Sequence, residues 1–438
     1  MRVCHSREIC EVDETISVEP LEGKFKRDIS RWAAVPPAGR FRQGVEQFKR
    51  LELIKEWNWK NLIEPKTNSL GKNKVLCITS GTGHVYAMET INDLDLKADI
   101  LKIDMPYPLP KEKIEALFEN YEKVLILEES YPCVEEQLSS PKLYGKLTNH
   151  THKIDEFSKA KVVQAFINIG FFEKPNPYIS KKFEKELIGR PPNMCPGCPH
   201  RDVHYAITKV FKKNKTIYPS DIGCYTLGLN QGAIDTILCM GASVSMASGF
   251  ALADTSKNVV ATIGDSTFLH SGVAPLINAI SQNHHFVLVI LDNSTTAMTG
   301  RQTTPERSNP AQIDIKRIVE GCGITCYEYM YEPDLNKTID FIKSLEKIYK
   351  EVKHPVVAVV REFCVLDKEM ADGKLYKAKV EVDPDLCIEC DMCVTSYKCP
   401  PMSYGEDGKM SIDQFLCVGC SSCLDVICPT DAFVEKKD

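Results

Sequence analysis

The sequence predicts an α/β protein with two domains built on parallel sheets, followed by a small α+β domain at the C-terminus. Two observations lead to this prediction. From Lys74 onward, short apolar strands alternate with helical segments, which is the pattern of parallel sheets. Beyond residue 380 this alternation gives way to eight closely spaced cysteines. We therefore expect a change of architecture near that point.

The first α/β domain is expected over residues 71–180. Before it, residues 1–70 show no regular apolar period, so we expect an extended connector there. Within the domain, apolar runs bounded by polar residues and glycine predict three buried strands. The predicted strands are Val75–Thr79, Ile100–Ile103 and Val124–Leu127.

The second α/β domain is expected over residues 181–367. Its clearest buried strands are Val259–Ile263 and Phe286–Leu291. The polar run 368–379 is expected to be a linker. Residues 380–438 then form the cysteine-rich domain.

Composition narrows the class of protein. With 43% hydrophobic residues, 26% charged residues and a net charge of −6, the chain has the balance of a globular protein and no basic excess that would favour nucleic acid. The longest aliphatic or aromatic run is too short to span a membrane, and the N-terminus lacks the apolar core of a signal peptide. We expect a cytoplasmic protein whose nineteen cysteines stay reduced and bind metal, in an anaerobe.

The eight C-terminal cysteines form two units with a repeat period of 30 residues. The units are Cys387-x2-Cys390-x2-Cys393-x5-Cys399-Pro400 and Cys417-x2-Cys420-x2-Cys423-x4-Cys428-Pro429. Two-residue gaps let a loop place three thiolates at three corners of a cubane, and the fourth cysteine reaches the neighbouring cluster. The spacing predicts two [4Fe–4S] clusters in a two-cluster ferredoxin domain. We call the predicted ligands the first cluster set (Cys387, Cys390, Cys393, Cys428) and the second cluster set (Cys417, Cys420, Cys423, Cys399).

A pair of structural zinc sites is the alternative, since zinc also binds Cys-x2-Cys pairs. Zinc does not explain triplets that end in Cys-Pro. The first unit departs from the bacterial pattern by two extra residues before Cys399, which leaves the assignment of that cysteine to a cluster less secure.

Polar residues follow the two buried strands of the second α/β domain. Asp265 and Ser266 come after the first strand, and Asn293 lies 28 positions after Asp265, at the end of the next. A carboxylate and an amide oxygen at neighbouring strand ends can bind one Mg²⁺ that bridges a diphosphate, with the carbonyl of Thr295 as third ligand. This spacing is typical of thiamine diphosphate sites. Two ordinary strand-end turns remain the alternative.

Four motifs together resemble the large (alpha) subunit of indolepyruvate ferredoxin oxidoreductase, in the 2-oxoacid ferredoxin oxidoreductase superfamily. They are Cys195-Pro196-Gly197-Cys198-Pro199-His200-Arg201, Asp221-Ile222-Gly223-Cys224, Gly264-Asp265-Ser266-Thr267 and Asp292-Asn293-Ser294-Thr295. The likeness covers nearly the whole chain. It implies that the second α/β domain is of the thiamine-diphosphate type and the first is Rossmann-like, similar to the transketolase C-terminal domain.

The resemblance also implies the reaction and the partners. The reaction is oxidative decarboxylation of aryl pyruvates such as indolepyruvate, giving acyl-CoA and CO₂. Thiamine diphosphate supplies the carbanion chemistry that side chains cannot, and clusters remove the electrons singly. The implied partners are a smaller beta subunit, ferredoxin, coenzyme A and the aryl pyruvate.

Cys195, Cys198, Cys224 and Cys364 raise a further question, and we call them the inner cysteines. By resemblance, similar positions in related enzymes hold a third [4Fe–4S] cluster beside the thiazolium. The alternative is that Cys195 and Cys198 only line the cofactor loop and Cys364 is a small core residue. His200 either contacts the diphosphate, as its motif suggests, or is a satisfied polar group. No catalytic residue is assigned.

The family's pyrimidine-binding domain precedes the stretch that residues 2–8 resemble. We therefore expect this chain to lack that domain, which a separate polypeptide supplies unless the reading frame is cut short. The chain alone is then expected to bind the diphosphate end without turnover. The alternatives are a catalytically silent electron-transfer or assembly subunit, and a non-oxidative thiamine decarboxylase, which cluster cysteines disfavour because that reaction releases no electrons.

Overall fold

The structure is a computed structural model that describes residues 23–36, 38–178, 192–310, 312–367, 379–405, 408–424 and 426–436. The chain divides into two compact units, Met1–Leu187 and Ile188–Asp438. Residues 2–8 and residues 368–378 of the predicted linker lie outside the described residues.

The first unit contains a four-stranded parallel sheet in the order β2-β1-β3-β4. Its strands are β1 (Val75–Thr79), β2 (Ala98–Lys102), β3 (Lys123–Leu127) and β4 (Leu143–Tyr144). The helices that connect or follow them are Thr82–Asp93, Lys111–Leu117 and Lys159–Asn168. Strand β1 is buried along its whole length, as expected for a strand covered on both faces. The three strands predicted here are confirmed.

The prediction of an extended segment before this sheet is wrong over the described residues. The segment is helical, with helices at Ile29–Trp32, Ala38–Asn58 and Glu64–Thr67 and a π-helical turn at Trp59–Ile63. The long helix is rich in good helix formers, yet Phe41, Phe48 and Leu53 on it are exposed. Because its apolar side chains do not line one buried face, the sequence shows no clear helical period.

The second unit contains a five-stranded parallel sheet in the order β10-β11-β7-β6-β5. Its strands are β5 (Thr216–Ile217), β6 (Asn258–Gly264), β7 (Val287–Asp292), β10 (Cys326–Met330) and β11 (Val356–Arg361), and a small hairpin, β8 (Thr295–Thr296) and β9 (Gln302–Thr303), follows β7. The helices are Pro199–Val210, Ala242–Ala253, Asp265–Thr267, Val273–Ser281, Pro305–Ser308, Ile315–Gly321 and Leu335–Glu351, with a π-helical turn at Phe268–Gly272. Both predicted strands are confirmed.

Separate apolar cores cover the two faces of this sheet. Val287, Val289 and Leu291 belong to one core, whereas Leu288 and Ile290 belong to the other. The continuous apolar sequence of β7 follows from burial on both sides.

The C-terminal part of the same unit consists of two short antiparallel pairs. Strand β12 (Val380–Val382) pairs with β15 (Phe433–Glu435), and β13 (Met402–Tyr404) pairs with β14 (Met410–Ile412). A π-helical turn spans Cys393–Tyr397. Apolar side chains of this part share one core with the helix Pro199–Val210, so the two pack directly on each other.

Within the described part of the chain, no helix is both long enough and apolar enough to cross a bilayer.

Candidate functional site

Two neighbouring strands of the larger sheet end in the predicted cation ligands. Asp265 follows the last residue of β6, and Asn293 follows the last residue of β7. The strands are parallel partners, with Gly264 beside Leu291, so both side chains leave the same edge of the sheet. Asp265 and Asn293 are buried. The fold thus brings together a carboxylate and an amide that are 28 positions apart in sequence.

Asp265 lacks a full set of partners. Its Oδ2 atom is buried and accepts no hydrogen bond from any described residue. Burial raises the pKa of Asp265 well above its ordinary value, and the nearby charge of Asp292 raises it further. A buried carboxylate is unfavourable unless a cation or hydrogen bonds compensate it. The side chain therefore fits a site that a hard divalent cation completes, since such cations prefer oxygen ligands.

The hairpin after β7 holds the strand ends in place. The backbone N–H of Thr295 donates to Oδ1 of Asn293 at 3.3 Å. Hydroxyls of Ser266 and Thr296 lie 2.6 Å apart, which joins the two strand ends. Thr295 is also buried, so its carbonyl belongs to a fixed segment of backbone. The described contact of the Ser266 side chain is therefore with Thr296, and it helps to position the two strand ends.

A salt-bridge network that the sequence did not reveal lies beside the strand ends. The guanidinium of Arg361, the last residue of β11, lies 2.6 Å from Asp292. It also contacts carboxylates from three other segments, namely Glu306, Asp314 and Glu328. Burial by itself would lower the pKa of Arg361, but hydrogen bonds to Glu306 and Glu328 outweigh burial and raise this pKa. The charge of Asp292, next to the predicted ligand Asn293, is thereby balanced.

Two histidines of the helix Pro199–Val210 are buried in this region. Burial lowers the pKa of His200 to about 4, so its ring is neutral near pH 7. Its Nδ1 atom has no hydrogen-bond partner among the described residues, which disfavours its interpretation as a satisfied polar group. The Nδ1 atom of His204 likewise has no partner among the described residues, but its Nε2 pairs with the carbonyl of Tyr225 at 3.0 Å.

The inner cysteines converge on one cavity. All four line it, together with His200 and Asn293. Burial raises the pKa of Cys198 to about 12 and that of Cys224 to about 11, and nearby thiols, Cys364 among them, add to the shift at Cys224. The raised pKa values favour the protonated thiols. A positively charged iron cluster would favour the thiolates instead, because metal coordination deprotonates a thiol. Residues more than 160 positions apart thus meet beside the predicted cation ligand.

Each cluster set also lines a cavity of its own. One cavity is lined by Cys387, Cys390, Cys393 and Cys428, and another by Cys399, Cys417, Cys420 and Cys423. In each case three cysteines come from one sequence unit and the fourth from the other. The extra residues before Cys399 do not prevent that cysteine from joining the second cluster set.

The spacing of these thiols bears on the zinc alternative. Among the described residues, no three His, Cys, Asp or Glu side chains are placed to hold a single metal ion. A zinc ion needs its ligands at about 2.0–2.3 Å from one centre. A cubane distributes its four ligands over four iron atoms, so it requires a wider arrangement. The two clusters stay a prediction from the sequence.

Sequence reasoning found the ligand-like residues but missed those that hold them. Arg361 gave no signal, because its partners lie on segments 33–69 positions away. Arg201 was quoted only as the last residue of a motif, and Asp202, the next residue, was not singled out; both are buried. Because arginine and aspartate are mostly exposed in proteins, these residue types gave no signal of the burial seen here.

Comparison with known proteins defines the class first. Residues 221–360 match the family described as thiamine pyrophosphate enzyme, C-terminal TPP binding domain. This range contains both strand ends and the hairpin. The chain therefore carries a thiamine-diphosphate-binding domain.

Curated relatives define the family, and this chain spans about two thirds of their length. The chain is 35% identical to indolepyruvate oxidoreductase subunit IorA of Archaeoglobus fulgidus, covering 90% of this chain and 63% of that one. It is 34% identical to the subunit of the same name from Methanothermobacter marburgensis, covering 98% and 71%. The chain belongs to the family of indolepyruvate oxidoreductase subunit IorA.

One solved structure is similar over part of the chain. The 2-oxoglutarate:ferredoxin oxidoreductase from Magnetococcus marinus is 18% identical, with a TM-score of 0.35, over 42% of this chain and 69% of that one. A superposition this partial carries no functional conclusion.

Proposed function

We propose that the chain is the subunit of a ferredoxin-dependent 2-oxoacid oxidoreductase that holds the diphosphate end of thiamine diphosphate through Mg²⁺ and conducts the electrons away through [4Fe–4S] clusters. One observation carries the proposal. Asn293, at the predicted Mg²⁺ site, lines the same cavity as the four inner cysteines.

In this proposal Asp265, the Asn293 amide and the Thr295 carbonyl hold Mg²⁺. The orphaned Oδ2 of Asp265 supports the assignment, because it needs a cation to offset its burial. When bound, thiamine diphosphate supplies a thiazolium ring that accepts the negative charge left by decarboxylation. Arg361 pairs with Asp292, so that the carboxylate next to the Asn293 amide has a cation of its own and does not need the bound Mg²⁺.

His200, Cys198 and Cys224 line the cofactor cavity. His200 is neutral near pH 7, so it can donate a hydrogen bond to a diphosphate oxygen without adding a charge. The inner cysteines supply a third set of thiolates beside the cofactor, and the two cluster sets supply ligands for two further clusters. Together these three sets form a path for single electrons to ferredoxin.

The finer parts of the proposal concern the substrate and partners. The names of the relatives favour indolepyruvate as the substrate. We further propose similar aryl 2-oxoacids as substrates and coenzyme A as acyl acceptor. The word subunit in these names favours a partner subunit, and we propose a smaller beta subunit. A test adds candidate subunits to the chain and follows indolepyruvate oxidation with a viologen dye.

Binding of thiamine diphosphate to the full chain tests the core of the proposal. Calorimetry should show binding with Mg²⁺ and none with a chelator. Changes to residues that only support metal ligands weaken binding by about 10–100-fold. Because Asp265→Asn removes a direct ligand, it should weaken binding by more than this. Asp340→Asn, an exposed carboxylate on the helix Leu335–Glu351, is the matched control. Equal binding by Asp265→Asn and the control would leave only an electron-transfer or assembly subunit.

A further inference from the structure

The first cysteine unit has one residue more before its last cysteine than the second unit has, and the structure shows where it goes. Residues Cys393–Tyr397 form a π-helical turn. The turn ends on Lys398, which has a left-handed φ of 57° and donates its N–H to the carbonyl of Cys393 at 2.8 Å. This geometry presents the carbonyls of Tyr397 and Lys398 to the helix Pro199–Val210.

Arg201 of that helix occupies the contact. Its side chain is 1% exposed. The guanidinium donates to the carbonyls of Tyr397, at 3.2 Å, and Lys398 on one side, and to that of Met194 on the other. One planar group with several donors thus connects the backbone just before Cys195 to the backbone just before Cys399.

Asp202 makes the same connection through side chains. Its carboxylate accepts hydrogen bonds from the hydroxyls of Tyr331, at 2.7 Å, and Tyr397, at 2.8 Å. The Tyr331 hydroxyl also lies 3.3 Å from that of Ser422, the residue before Cys423. Buried charges must be paired and hydrogen-bonded to be tolerated, so these residues allow little freedom of movement.

The two cysteine loops touch directly at a glycine. Gly197, between Cys195 and Cys198, has a φ of 73°, and a Cβ atom there would lie 2.8 Å from Cγ2 of Val418. Val418 lies between Cys417 and Cys420. Pro196 and Gly197 even line the cavity of the second cluster set. The inner cysteines and the second cluster set are therefore neighbours.

We propose that Arg201 and Asp202 are positioning residues that fix the distance between the inner cysteines and the second cluster set, and that they thereby set the rate of the electron step between them. The inference rests on the proposed function. In this step one electron passes, the cluster at the inner cysteines is oxidised and that at the second cluster set is reduced, and no bond or proton is exchanged. Because electron tunnelling decays exponentially with distance, small displacements change the rate strongly.

The variants Arg201→Lys and Tyr397→Phe test this in the anaerobically purified full chain. The first keeps the charge but loses the planar set of donors, and the second removes one hydroxyl. Tyr131→Phe removes a hydroxyl that donates to the exposed Glu136, and it is the matched control. The readouts are iron content, the magnetic interaction between reduced clusters in electron paramagnetic resonance, and the rate of electron equilibration between the two sets.

The expected result is about twelve irons per chain in every variant. Arg201→Lys and Tyr397→Phe should show a weaker magnetic interaction and slower equilibration than the wild type, because the distance between the two sets is no longer fixed. The control should match the wild type. About twelve irons with unchanged interaction and rate in both variants would overturn this inference alone. About eight irons in the wild type would overturn it together with the third cluster of the proposed function.

Discussion

His204 shows how strongly burial acts on a single residue of this site. Its ring is fully buried and packs against Gly228. A Cβ atom on Gly228 would lie only 2.7 Å from the ring. Burial, with a smaller contribution from the neighbouring His200, lowers the pKa of His204 to about 3. The ring is therefore neutral in the folded protein, while in the unfolded chain it titrates near 6.5.

This difference predicts a pH dependence of stability. A histidine whose pKa is lowered by folding favours the folded state fully above the unfolded value of about 6.5, and the benefit is lost as the pH falls towards 3. Below about pH 6, His204 should therefore contribute a slope of about 1.4 kcal/mol per pH unit. Urea unfolding of the wild type and His204→Gln between pH 5 and 7, without oxygen, checks this. If the free energy of unfolding changed with pH equally in the two proteins, this pH dependence would not come from His204.

At the scale of elements, the ends of the parallel strands concentrate the charges. Arg361 at the end of β11 balances Asp292 at the end of β7, and it contacts three more carboxylates. The side chain of Asp292 is 2% exposed, so it has little access to water. The network thus permits a buried carboxylate beside the predicted cofactor site.

Arg361→Gln should destabilise the second unit strongly. It leaves Asp292 as an uncompensated buried charge, a change that costs about 3–5 kcal/mol. The control is Lys316→Gln, which removes a more exposed partner of Glu328 and should cost about 1 kcal/mol or less. The free energy of unfolding in urea is the measurement. Similar losses for the two variants would show that the network is not needed to balance Asp292.

At the scale of the whole molecule, residues far apart in sequence are combined into each cavity. Cys428 lines the cavity of the first cluster set and Cys399 that of the second. The two units of the C-terminal domain are therefore expected to depend on each other for ligands.

Loss of the first cluster tests this crossed arrangement. In a variant with Cys387, Cys390 and Cys393 changed to serine, the second cluster should remain and protect Cys399, while Cys428 becomes free. Anaerobic alkylation followed by mass spectrometry should then label Cys428 and spare Cys399. Labelling of Cys399 in place of Cys428 would mean that each unit holds its own fourth cysteine.

The sequence predicted those features whose chemistry is written in local spacing. The two cysteine units, Asp265 and Asn293 follow from gaps along the chain and from the ends of apolar strands. Arg361, Asp202 and the turn before Cys399 could not be predicted in this way, because their roles depend on partners that folding brings from distant segments. The helix Ala38–Asn58 was missed because its apolar residues are not confined to a buried face.

The iron content of the anaerobically purified full chain tests most directly the claim that a cluster lies beside the thiamine site. We expect about twelve irons and twelve sulfides per chain, falling to about eight in Cys195→Ser/Cys364→Ser, with Mg²⁺-dependent binding of thiamine diphosphate retained. About eight irons in both proteins would contradict it.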